Sequence, residues 1–162
     1  MIVLVVGATG ATGRLVVRKL INDNHQVKIV IRENSSLPEN ILLNNKVTVI
    51  TGTILGFNDD KIEQIVSDCD VVISSLGPNL TLKGIYGKPK ELVTSTIKKI
   101  CKVIIRRYHN KTIKLILMNS AGNSNRDLVE YISFPQKCIV FLLRRLVPPH
   151  LDNEKASDYL RC

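Results

Sequence analysis

Gly7-Ala8-Thr9-Gly10-Ala11-Thr12-Gly13 stands between the apolar run Ile2–Val6 and the segment Arg14–Asn22. Ile2–Val6 is short and rich in β-branched residues, which suits a parallel strand covered on both faces. In Arg14–Asn22 the order Leu15, Val16, Lys19, Leu20 gives a helix with one apolar and one wet side. The glycines therefore fall where a first strand turns into a first helix.

Each glycine has its own physical reason at that spacing. Gly7 lets the chain leave the strand tightly. Gly10 lets a ligand approach the backbone with no Cβ in the way. Gly13 lets the helix pack closely on the sheet. The helix start then offers unpaired N–H groups and the positive end of its dipole to an anion. The arrangement reads as the pyrophosphate cradle of a dinucleotide, with Thr9, Ala11, Thr12 and Arg14 beside the glycines.

Outward from the turn, strands and helices alternate. Strands are expected over Gln26–Ile31, Lys46–Ile50, Val71–Ser75 and Lys114–Met118, and helices over Asp59–Ser67 and Glu91–Tyr108. Ser35, Ser36 and Pro38 mark a loop. Such alternation predicts an α/β fold, a doubly wound parallel (Rossmann) sheet of five strands in the order 3-2-1-4-5 with helices on both faces. No repeat or internal boundary breaks the pattern, so 1–162 reads as a single domain. Arg126–Glu130 reads as a helical turn and Lys137–Leu146 as an apolar segment that Pro148-Pro149 stops. Asp152 then reads as the N-cap of a last helix running through Leu160.

The second strand ends on Ile31-Arg32. An acidic residue there would accept hydrogen bonds from the ribose hydroxyls of NAD. A guanidinium instead pairs with a 2′-phosphate, so Arg32, helped by Arg14 and the Ser35-Ser36 pair, favours NADP(H) over NAD(H).

Bulk properties narrow the classes further. Hydrophobic residues make up 44% of the 162, too many for a disordered chain. Aromatics are only 4%, so stacking platforms for bases are scarce. The net charge is +9, and Lys98, Lys99, Lys102, Arg106, Arg107, Lys111 and Lys114 lie in a stretch with no acidic residue. That stretch reads as a solvated helix face rather than a nucleic-acid surface. Cys69, Cys101, Cys138 and Cys162 are scattered. This spacing suits a reducing cytoplasm and no zinc site. No apolar run is long enough to span a membrane.

These residues resemble the atypical branch of the short-chain dehydrogenase/reductase superfamily, of the NmrA-like and flavin reductase/biliverdin-IXβ reductase kind. The resemblance rests on Gly7, Gly10 and Gly13, on Val30-Ile31-Arg32-Glu33-Asn34, Thr51-Gly52-Thr53, Ser74-Ser75-Leu76-Gly77 and Asn119-Ser120-Ala121-Gly122, and on the tail Pro148–Lys155. It implies that Gly52 and Thr53 sit near the adenine. It likewise puts Ser75, Leu76 and Gly77 along the ribose beside the nicotinamide half, and Ser120 at the nicotinamide as a weak catalytic candidate. Thr53 stands where the family usually has an acidic residue. Members run on into a sixth strand and a small substrate region, so the sequence, ending at Cys162, reads as a truncated member.

The expected activity is an NADPH-dependent oxidoreductase handing hydride to a flavin, quinone or small carbonyl acceptor. The alternative is a non-catalytic NADP(H) sensor with a protein partner or a second copy of itself. Many members pair a Tyr with a Lys four residues later on one helix, so that the lysine lowers the tyrosine pKa. Tyr86 and Lys90 have that spacing, but they precede the Ser120 strand, and Gly87 and Pro89 argue against a helix. Tyr131 and Tyr159 have no following lysine at that distance.

Overall fold

The structure, a computed structural model, describes residues 1–77, 91–108, 111–119, 133, 135, 141 and 148–161. Five strands, β1 (Ile2–Val6), β2 (Gln26–Ile31), β3 (Val47–Thr51), β4 (Val71–Ser74) and β5 (Lys114–Leu117), form one parallel sheet in the order β3-β2-β1-β4-β5. The helices are α1 (Ala11–Asn22), α2 (Glu39–Leu42), α3 (Asp59–Val66), α4 (Leu92–Arg107) and α5 (Pro148–Arg161). The order and the α/β class are those the alternation predicts.

The period of two along β1 sorts the core. Val3 and Val5 join Val17 of α1 and Ile41 of α2 on one face of the sheet. Leu4 and Val6 join Ile62, Ile65 and Val66 of α3, with Ile100 and Val103 of α4, on the other. Both clusters are aliphatic and nearly solvent-free, as a parallel sheet covered on two sides requires.

Register brings the strand ends together. Val6 lies opposite Val30 and Ser74, Ile31 opposite Thr51, and Ser74 opposite Leu117. Gly7, Arg32, Gly52 and Ser75 therefore leave the sheet along one carboxyl edge, on either side of the point where the strand order reverses at β1. In open α/β sheets that crevice is where ligands bind.

The chain divides into two compact units, one of residues 1–76 with 96–118 and one of 77–95 with 119–162. The first holds the sheet. In the second, Pro148 and Pro149 open α5; proline lacks the N–H that a first helical turn leaves unpaired anyway. Asp152 consequently lies inside α5 and is not its N-cap. Its buried carboxylate accepts from the backbone N–H of Val93 at 2.8 Å and of Thr94 at 2.9 Å, capping α4. The Thr94 hydroxyl in turn donates to the Asp152 carbonyl at 2.8 Å. The four-residue α2, which the loop reading of Ser35–Pro38 did not anticipate, starts on the Pro38 carbonyl. α1 begins at Ala11, three residues before the predicted start, and buries Gly13 and Val17 while Leu15 is exposed. The expected turn at 126–130 and most of 137–146 lie outside the described residues.

Candidate functional site

At Gly7 the backbone takes φ +86°, a left-handed conformation in which a side chain is strained. A Cβ there would also lie 2.7 Å from the Ser75 carbonyl group. The Gly10 N–H donates to the Gly7 carbonyl at 3.1 Å, closing the turn, and the Arg14 N–H donates to the Gly10 carbonyl at 3.0 Å, opening α1. Gly13 lies against this turn, and a Cβ on it would meet the Gly7 oxygen at 2.1 Å. Gly10 differs. Its φ of −70° is ordinary, and a Cβ would stand 3.4 Å from the Gly7 oxygen, a contact the fold can accept. The fold thus demands glycine at 7 and 13, whereas glycine at 10 leaves room above the turn.

α1 starts with no side-chain cap and no acidic residue in its first turn. Gly10, Ala11 and Thr12 are exposed and Thr9 is half-buried. The first-turn N–H groups and the helix dipole therefore face outward as a site for an anion.

Beside β2 and β3, a cavity of about 710 Å³ is lined by Arg32, Glu33, Asn34, Ser35, Thr51, Gly52, Thr53, Gly56 and Phe57. Arg32 is exposed and its guanidinium makes no hydrogen bond or ion pair among the described residues, so its charge is available to a ligand. Gly52 takes φ +138°, and the Phe57 ring lies where a Cβ would be, 2.5 Å from that position. The Thr53 hydroxyl accepts from the Gly56 N–H at 3.1 Å. Lys99 of α4 holds this loop by donating to the carbonyls of Leu55, at 3.1 Å, and Phe57. The sequence reading places Arg32, Gly52 and Thr53 here but misses Gly56 and Phe57. The available signal was a phenylalanine, one of three in the chain, soon after a strand-end glycine.

Ser75 is buried, and its hydroxyl donates to the Val6 carbonyl at 3.1 Å, so it ties β4 to β1. Leu76 is half-buried and Gly77 exposed. Ser120, Tyr86, Lys90 and Tyr131 lie outside the described residues. Lys155 on α5 forms an ion pair with Glu91 at 2.5 Å.

Much of the basic stretch is engaged within the first unit. Lys102 pairs with Asp59 at 3.1 Å and Arg107 with Glu63 at 3.2 Å, while Lys111 donates to the Ser67 carbonyl at 2.9 Å. The hydrogen bond from Lys102 holds the Asp59 carboxyl below its usual range. Among the described residues no His, Cys, Asp or Glu side chains cluster as a metal site, and no helix is long and apolar enough to cross a membrane.

A family model described as NAD(P)H-binding matches residues 7–161. No curated protein matches. Among solved structures, a short-chain dehydrogenase/reductase from Veillonella parvula in complex with NADP is 22% identical, with a TM-score of 0.67; the match covers 99% of this chain and 63% of that one. UDP-glucose 4-epimerase from Thermotoga maritima with UDP-glucose is 20% identical, with a TM-score of 0.68 and coverage of 99% and 50%. The Bordetella bronchiseptica enzyme WbmH in complex with NAD+ is 12% identical, with a TM-score of 0.68 and coverage of 99% and 52%. These likenesses are ones of fold, and the chain spans between half and two thirds of the structures named.

Proposed function

Since the chain belongs to the NAD(P)H-binding family, we propose that it binds NADP(H) in preference to NAD(H) and serves as an oxidoreductase of the atypical short-chain dehydrogenase/reductase type, with 1–162 as one nucleotide-binding domain. The observation that carries the cofactor preference is Arg32, whose guanidinium has no partner among the described residues and stands on the wall of the cavity beside β2 and β3. A guanidinium there pairs with a 2′-phosphate through two parallel hydrogen bonds.

The residues fit the group. Gly7, Gly10 and Gly13, with Thr9, Ala11 and Thr12, form a cradle open above Gly10 and backed by the N-terminus of α1. Gly52, Thr53 and Phe57 border the space for the adenosine end. By the resemblance to the short-chain dehydrogenase/reductase superfamily, Leu76 and Gly77 are assigned to the nicotinamide half, and Ser120 is the candidate to polarise an acceptor. The nicotinamide would supply hydride, and the chain's task is to hold it beside a flavin, quinone or small carbonyl compound.

A second reading, a non-catalytic NADP(H) sensor with a protein or self partner, is favoured by one sequence fact. The only Tyr followed four residues later by Lys is Tyr86–Lys90, interrupted by Gly87 and Pro89. NADPH oxidation in the presence of FMN, dichlorophenolindophenol or a quinone separates the two. Turnover supports the oxidoreductase, and tight NADPH binding with no turnover on any acceptor supports the sensor. The ion pairs within the basic stretch argue against a nucleic-acid ligand, and the location that fits this reading is the cytoplasm.

A further inference from the structure

Arg14 joins two segments that reach the carboxyl edge of the sheet separately. Its Nε–H donates to the Thr9 carbonyl at 3.0 Å, inside the glycine turn. Its Nη2 donates to the Ser36 carbonyl at 3.4 Å, at the end of the stretch that begins with Arg32. That stretch is itself folded back, since the Ser35 N–H donates to the Arg32 carbonyl at 2.9 Å. Arg14 rides on α1, which is seated by the buried Gly13 and Val17. A planar guanidinium can serve two carbonyls in fixed directions at once, which an ammonium on a flexible stem cannot do as well.

We propose that Arg14 is a positioning residue, a strut that sets the spacing between the glycine turn and the Arg32–Ser36 loop before any ligand arrives. Its ligand rests on the NADP(H) reading above; the strut itself does not. Two loops held in register bind one long ligand without first losing their own freedom, so the strut strengthens binding by preorganisation. Arg14 then differs in kind from Arg32. NADPH and NADH both bridge the two segments, so losing the strut weakens both alike, whereas losing Arg32 weakens NADPH selectively.

The test uses the full chain and two variants, Arg14→Ala and Arg14→Lys. Hydrogen exchange without nucleotide is expected to show amides of residues 9–12 and 33–37 exchanging roughly tenfold faster in Arg14→Ala, with β1 and β4 unchanged and Arg14→Lys intermediate. Titration is expected to show NADPH and NADH affinities falling in parallel, by about tenfold for Arg14→Ala. Unchanged exchange at both segments, faster exchange throughout the sheet, or a loss confined to NADPH would each overturn the strut. If the wild-type chain binds neither nucleotide, the NADP(H) reading fails, and the exchange comparison still decides the strut.

Discussion

Gly13 lies so close to the Gly7 carbonyl that a Cβ would come within 2.1 Å of its oxygen, whereas a Cβ on Gly10 would stand 3.4 Å from the same atom. The two glycines therefore have different duties, and alanine separates them. Gly13→Ala must push α1 off the turn and is expected to cost about 2–3 kcal/mol in urea unfolding. Gly10→Ala is expected to change stability by less than about 1 kcal/mol yet to weaken NADPH binding, because its methyl occupies the space above the turn. Equal stability losses for the two would contradict this division.

Gly52→Ala meets two obstacles, the positive φ and the Phe57 ring. It is expected to lose about 1–3 kcal/mol and to weaken NADPH binding by shifting the ring that lines the cavity. Adding Phe57→Ala removes the clash but not the strain. The double variant should therefore lose less than the sum of the two single losses, as thermal unfolding of all four proteins would show. Simple additivity would mean that ring and glycine are not in contact.

Asp152 caps α4 from within α5, across 58 residues of sequence. Asp152→Ala leaves the N–H groups of Val93 and Thr94 buried without their acceptor and is expected to cost about 2 kcal/mol. Asp152→Asn keeps one carbonyl acceptor and should cost about half as much in the same chemical denaturation series. No loss in either variant would show that the cap adds nothing to stability.

The thiol of Cys69 is pushed up to about 11 by burial, outweighing the opposing charge of Lys28. The folded state holds this proton more tightly than the unfolded chain does. Its contribution to stability is thus complete below the ordinary thiol range and is lost as pH rises through about 11. Cys69→Ala should flatten the fall in urea midpoint between about pH 8 and pH 10.5, relative to wild type. Parallel profiles would place the thiol at an ordinary value.

Strand positions were legible because each strand is a run of apolar, mostly β-branched residues between turn signals, and their alternation with helices leaves few topologies. The glycine turn was legible because its spacing encodes separate local requirements. What was missed depends on distant contacts. Nothing near Asp152 in sequence says that its carboxylate faces the start of α4, and an aspartate followed by Asn153 and Glu154 mimics a local cap. Pro148-Pro149 is ambiguous in itself, since proline both ends one helix and begins the next. Phe57 became part of the site through its packing on Gly52, a tertiary contact without periodicity. Arg14 was read as a phosphate partner, and only the structure shows its guanidinium engaged by Thr9 and Ser36.

The most direct test of the central claim is calorimetric titration of the wild-type chain and of Arg32→Ala with NADPH and with NADH. The account predicts saturable NADPH binding to wild type. It also predicts a loss of at least about tenfold for NADPH in Arg32→Ala, with NADH affinity held to within about twofold. Failure of the wild-type chain to bind NADPH, or equal losses for the two nucleotides, would contradict it.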